Sequence, residues 1–323
     1  MHSYTSSSDS HPDIAGGGQR RNGHLGTTTL VLLAGCFALA LGLEFVSRYG
    51  FDRISRIQQT LISELQSATS LRGNRTVLVA GNSLLEAAVD FPAFAGRLQP
   101  RWVAKRVVVS DTNYFDWYYG LRRLFESGSR PGTVVLVLTS RQLVSNGIRG
   151  GYFASYLMNG ADIPRVQQDL GLHPTEASAL FFEWASKFYG VRAEIRKWIL
   201  ELAMPDFESL AHLLTRMPPV ALSDHTVKDI GEKRLSALRD LVASRGGKLI
   251  LVVPPLAQPG DNSVALQEAG LKADVPVLIP LASGSLPLED YRDGYHLNPD
   301  GARRFTARFG PLVRDALVAL EER

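Results

Sequence analysis

The chain has 323 residues, 45% of them hydrophobic and 21% charged, which excludes an intrinsically disordered protein and leaves room for one core of roughly 200–250 residues plus appendages. Its net charge is only +3 and its basic residues come at most in pairs such as Arg20-Arg21, Arg122-Arg123 and Arg303-Arg304, so nucleic acid is not an expected partner. The single cysteine, Cys36, excludes an intramolecular disulfide and a cysteine-built zinc site, and a folded domain without cysteine is compatible with an oxidising compartment.

Residues 1–26 are rich in Ser and Gly with almost nothing to bury, and are expected to be a disordered tail. Thr27 to Leu43, "TTTLVLLAGCFALALGL", then gives seventeen residues without a charge. At 1.5 Å per residue such a helix is about 26 Å long, and Phe45 and Val46 extend it past Glu44, so 27–46 reads as a single membrane helix. Two alternatives stand beside it. "LLAGC" resembles a lipoprotein processing box, although apolar residues continue beyond Cys36, and a cleaved secretory peptide would have an unusually long preamble. Arg20 and Arg21 precede the span while Arg48, Arg53 and Arg56 follow it, so counting basic residues does not favour an external C-terminus. In "RISRIQQTLISELQS", Ile54, Ile57, Leu61 and Leu65 recur at helical spacing. This predicts a stalk or linker helix within 47–74, or else a helix packed on the domain.

From about residue 75 onward the pattern alternates. Five runs nearly continuous in Val, Ile and Leu occupy 76–81, 104–110, 133–140, 248–255 and 275–281, as suits strands covered on both faces. Helical patterns lie between them, among them 114–127 and 227–247, the latter closed by a Gly pair. The alternation predicts an α/β fold with a parallel, doubly wound five-stranded sheet over 75–323. An insertion at about 141–226 interrupts it with aromatic-rich helical segments, including 177–203, and is where substrate shape would be set. Trp184 and Trp198 within it are expected to be core residues. No H-E-x-x-H, clustered His/Asp set or phosphate-binding Gly loop is present, so no metal or other cofactor is expected.

Ser83 follows the first strand directly, in "LVAGNSLLEAAVDF" (78–91). The C-terminal ends of parallel strands are where such sheets bind and react with ligands. Ser is equally a preferred helix N-cap, and Glu86 three residues later completes an S-x-x-E capping box. A nucleophile needs a base and a group that orients the base. "DYRDGYHLNPDGARRF" (290–305) offers both, with Asp293 and His296 three residues apart and Asn298-Pro299 opening a closing helix. Of the seven histidines, His2, His11 and His24 fall in the tail and His173, His212 and His225 in or beside the insertion. Apart from the adjacent Asp224-His225, whose side chains diverge in most backbones, His296 is the one read as having both a near carboxylate and a helix start behind it.

"VLVAGNSLLEAAV" and "DGYHLNPDGARRF" together resemble the G-D-S and D-x-x-H blocks of the SGNH/GDSL hydrolase superfamily, over about residues 75–320 and in the family's order. The resemblance implies a three-layer α/β/α fold and a Ser83–His296–Asp293 catalytic triad without a cofactor. Asn82 replaces the family's Asp, a change also found in its membrane-linked polysaccharide O-acetyltransferase branch. The oxyanion-hole Gly after the second strand is replaced by Ser110-Asp111-Thr112-Asn113, and the G-x-N-D block reads "LTSRQL". The oxyanion candidates are therefore the Ser83 backbone N–H, Ser110, Thr112, Asn113, and Arg141, Gln142 or Ser140. What the resemblance implies in function is acetyl transfer to a surface or secreted polysaccharide by a single-pass protein of the inner membrane with its domain in the periplasm or outside the cell, partnered by an integral-membrane acetyl-transfer protein. A carbohydrate or lipid esterase and an inactive glycan-binding scaffold are the alternatives.

Overall fold

The computed structural model describes residues 22–51, 56–204 and 222–322, in two compact units that divide between Val46 and Ser47. The first unit is the helix Asn22–Val46. It begins inside the segment expected to be tail, whose residues 1–21 lie outside the described residues. Leu30, Phe37 and Phe45 are exposed around it, and Thr27–Gly50 is the one segment among the described residues long and apolar enough to cross a membrane.

The second unit is an α/β fold in three layers. Its sheet has the order β2-β1-β3-β4-β5, with β1 Arg72–Gly81, β2 Val103–Val108, β3 Arg130–Val137, β4 Lys248–Val252 and β5 Val277–Leu278. Every pairing is parallel. All five expected runs are strands. The continuous apolar sequence is explained by which way alternate residues point. Leu78, Ala80, Val134, Leu136, Leu249 and Leu251 face one core. Val77, Val79, Val135, Val137, Ile250 and Val252 face the other, against Phe94, Phe305, Phe309 and Val313. β5 is shorter than the run 275–281 because Pro276 and Pro280 bracket it and lack the N–H a ladder needs.

Helix Arg56–Thr69 does not stand off as a stalk. Leu61 and Ala68 are buried in the core on one sheet face. Glu64 binds the outer edge of β2, accepting the Val108 N–H at 2.8 Å and pairing with Arg106 at 2.8 Å. A carboxylate thus satisfies a backbone donor that an edge strand otherwise leaves to water.

The helical pattern at 177–203 is two helices, Pro174–Ala185 and Lys187–Ala203, separated by Ser186, whose Oγ accepts the Tyr189 N–H at 3.1 Å. Trp184 is 43% exposed, which corrects the expectation of a core residue. The ring instead lies on the surface beside Phe181, with centroids 6.0 Å apart. The Trp198 side chain and residues 205–221 of the expected insertion lie outside the described residues.

Candidate active site

β1 ends at Gly81, which pairs with Val108 on one side and Val137 on the other. A Cβ at Gly81 would sit 2.9 Å from both the Val137 carbonyl oxygen and the Leu85 Cβ, so the chain turns into the next helix here only because the residue is glycine. That helix is Ser83–Ala88, and its N-cap is Asn82. Fully buried Asn82 accepts the Leu84 N–H at 3.0 Å through Oδ1 and donates through Nδ2 to the Thr112 carbonyl at 3.0 Å. The amide does two jobs that a carboxylate cannot do together, capping a helix and donating to the loop after β2. It also removes the capping-box reading of Ser83, since the cap belongs to its neighbour and Glu86 is exposed.

The Ser83 hydroxyl is instead 2.9 Å from His296 Nε2, and His296 Nδ1 is 2.8 Å from Asp293 Oδ2. Asp293 Oδ1 also accepts the backbone N–H groups of Tyr295 at 2.9 Å and His296 at 2.7 Å. Partial burial acts to raise the Asp293 pKa, but these hydrogen bonds and the imidazole outweigh it and hold the carboxyl at about 2. An ionised carboxylate only accepts, so Nδ1 carries the ring hydrogen. In the neutral imidazole Nε2 is then the acceptor for the serine proton.

The loop carrying this pair is closed at its base. Tyr291 and Leu297 form an antiparallel bridge, Arg292 N–H donates to the His296 carbonyl at 2.8 Å, and Asn298 N–H donates to the Asp290 carbonyl at 2.8 Å. Asn298 caps helix Pro299–Glu321 by accepting the Asp300 and Gly301 N–H groups, both at 3.0 Å. Gly301 has to be small because a Cβ there would lie 2.5 Å from the Asp290 carbonyl oxygen. Buried Asp290 pairs with Arg304 at 2.9 Å.

The remaining candidates divide. Thr112 is buried, with its hydroxyl donating to the Val109 carbonyl at 2.6 Å and accepting from Trp117 Nε1 at 3.0 Å. Gln142 forms a capping box with Thr139, accepting its N–H at 3.0 Å and donating its own at 3.3 Å. The Asn113 N–H donates to Asp116 at 2.8 Å. The Thr112 hydroxyl hydrogen is thus taken up by the Val109 carbonyl, whereas the bonds of Gln142 and Asn113 engage Oε1 and the backbone N–H groups rather than the side-chain amide donors. Ser140 is fully buried and its Oγ makes no hydrogen bond. Ser110 and Arg141 remain toward the surface, and the Ser83 N–H lies in the first helical turn, where no intrahelical acceptor is available.

Two features were not foreseen in the residue pattern. Asp111 adopts φ 59°, a left-handed conformation that glycine takes without strain. Tyr295 packs edge-on to His296, with ring centroids 5.6 Å apart, and its hydroxyl bonds to the Thr139 side chain. Burial raises its pKa, opposed by that hydrogen bond and by the charge of Arg141, while Asp111 adds to the rise. The loops after β2, after β3 and before the closing helix thus converge on one rim. Beneath it, fully buried Asp116 accepts the N–H groups of Asn113 and Arg149, each at 2.8 Å, yet burial pushes its pKa up to about 7. Among the described residues no group of three or more His, Cys, Asp and Glu side chains is arranged to hold a metal.

No protein-family model and no curated protein sequence matches the chain. Solved structures resemble it at 12% identity. LAE5, an alpha/beta hydrolase enzyme from the metagenome of Lake Arreo, covers 77% of this chain and 98% of its own with a TM-score of 0.39. A mutant of Axe2, an acetyl-xylooligosaccharide esterase from Geobacillus, covers 74% and 94% with a TM-score of 0.36. A catalytic mutant of Axe2, there described as an acetylxylan esterase from Geobacillus stearothermophilus, gives the same coverage, identity and TM-score.

Proposed function

We propose that the chain is a membrane-anchored serine acyltransferase of the SGNH type, which moves acetyl groups onto a polysaccharide on the outer side of the inner membrane. The observation that carries this reading is the hydrogen-bonded series Ser83–His296–Asp293, with heavy-atom distances of 2.9 and 2.8 Å.

In the proposed reaction His296 Nε2 takes the hydroxyl proton as Ser83 Oγ attacks the carbonyl carbon of an acetyl ester. The tetrahedral oxyanion collapses, the donor's C–O bond breaks, and the imidazolium returns the proton to the leaving oxygen, which leaves acetyl on Ser83. A sugar hydroxyl then repeats the sequence: His296 removes its proton, the new C–O bond forms, and Ser83 departs with that proton. Asp293 holds the tautomer and stabilises the imidazolium. The Ser83 N–H supplies one oxyanion donor, with Ser110, Asn113, Arg141 and Gln142 as candidates for a second. The acetyl donor is expected to be an integral-membrane transfer protein. That assignment rests on the sequence resemblance, as does the outward placement of the domain.

Hydrolysis is the second reading, favoured by a specific feature: the His296 side chain is 31% exposed, so water reaches the base. Incubating the full-length protein with 4-nitrophenyl acetate, with and without an oligosaccharide, tests both. Acetylated sugar supports transfer and free acetate alone supports an esterase. Release that persists in Ser83→Ala refutes the serine chemistry. A topology reporter at the C-terminus checks the membrane side, and a cytoplasmic signal would remove the polysaccharide reading.

A further inference from the structure

A cleft of about 410 Å³ opens against the helix that Ser83 begins, lined in part by Glu86, Ser110, Asp111, Arg149, Tyr152 and Lys197. Its volume falls in the range of small-ligand sites, roughly 300–1,000 Å³. Two registers bring its lining near Ser83. Glu86 follows Ser83 by three residues on one helix, the spacing that puts side chains on a common face. Ser110 and Asp111 follow Val109, whose N–H donates to the Gly81 carbonyl at 3.0 Å, two residues before Ser83.

The walls are built rather than incidental. Asp116 ties the backbone of Arg149 to that of Asn113. The Arg149 guanidinium then spans the mouth, 3.3 Å from Glu194 and 3.6 Å from Asp111, and lies over the Tyr152 ring at 5.3 Å. Its Nε–H is buried and makes no hydrogen bond. Helix Arg56–Thr69 contributes Thr60, Leu61 and Glu64 to the lining.

Resting on the transferase reading above, we infer that this cleft is the acceptor subsite and that it takes a neutral, hydroxyl-rich pyranose rather than an acidic sugar. Vicinal ring hydroxyls both donate and accept. Carboxylates and a guanidinium fixed side by side meet both needs, while Tyr152 offers apolar surface to the C–H face of a ring. Carboxylates outnumber cations along the lining even after Arg106 neutralises Glu64, which disfavours uronates and phosphorylated sugars.

The test uses the full-length protein in detergent micelles, 4-nitrophenyl acetate as donor, and cellotetraose or tetragalacturonate as acceptor. The readout is acetyl found on sugar relative to 4-nitrophenol released, with circular dichroism confirming that each variant is folded. The expected result is transfer to cellotetraose in preference to tetragalacturonate, with the transferred fraction falling at least tenfold in Tyr152→Ala and in Lys197→Ala. Glu86→Lys should narrow the preference. A transferred fraction within twofold of wild type in both alanine variants, or preference for tetragalacturonate, overturns the assignment. Ser83-dependent release with transfer to neither sugar also overturns it but leaves the serine chemistry standing as hydrolysis. Release independent of Ser83 defeats the underlying reading itself.

Discussion

Ser83 stands in a turn whose neighbours Leu78, Val79, Ala80, Asn82 and Leu85 are all at 0% exposure, whereas Asp293 and His296 are 47% and 31% exposed on a loop held by its own hydrogen bonds. The nucleophile is positioned by the core and the base by local geometry. Damage near Ser83 should therefore register as lost stability, and damage in the 290–298 loop as lost rate. Four measurements sharpen or break that contrast.

The largest effect is expected for Ser83→Ala, a drop in kcat/KM for aryl acetate on the order of 10⁴-fold or more, with the melting temperature nearly unchanged because the helix cap belongs to Asn82. Asp293→Asn should cost roughly 10²- to 10⁴-fold in kcat, since an amide no longer enforces hydrogen on Nδ1. Its melting curve should stay close to wild type, and a large destabilisation would mean that the loop is part of the cooperative core. Asn82→Asp reverses the balance. The donor to the Thr112 carbonyl becomes a buried acceptor facing an acceptor, and urea unfolding should show a loss of about 1–3 kcal/mol.

The smallest effects are in pH dependence, and the two carboxyls act with opposite sign. Asp293 is held at about 2, below its ordinary 3.8, so its contribution is present above about pH 4 and is lost as the pH falls through 2. Solvent screening at this exposed site keeps that loss small. Asp116 is raised from 3.8 to about 7, so the folded state holds its proton more tightly, and stability from this group is complete below about pH 4 and declines as the pH rises to 7. Melting temperatures taken from pH 4 to 7 should fall in the wild type and fall less in Asp116→Asn. A steeper fall in the variant would contradict the assignment.

The same contrast explains what could be read in the residues. The five strands were visible because a sheet covered on both faces needs unbroken Val, Ile and Leu, and Ser83 and the Asp293–His296 pair were visible because each lies within a short local pattern. What depends on distant partners was not. Arg56–Thr69 shows one apolar stripe whether it stands free or packs, and only Glu64 reaching the Val108 N–H distinguishes the two. Thr112 carries a suitable donor, but its hydroxyl hydrogen is taken up by the Val109 carbonyl. Trp184 is aromatic on a helix, as core residues are, and lies on the surface. Tyr295 had a signal in its place directly before His296, but its bond to Thr139 joins loops far apart in sequence.

The central claim is that the imidazole of His296 makes the Ser83 oxygen nucleophilic. Full-length protein treated with a serine-reactive sulfonyl fluoride and analysed by peptide mass spectrometry tests it directly. One adduct is expected, on the peptide containing Ser83, nearly absent in His296→Ala. An unmodified Ser83, or equal labelling in His296→Ala, would contradict it.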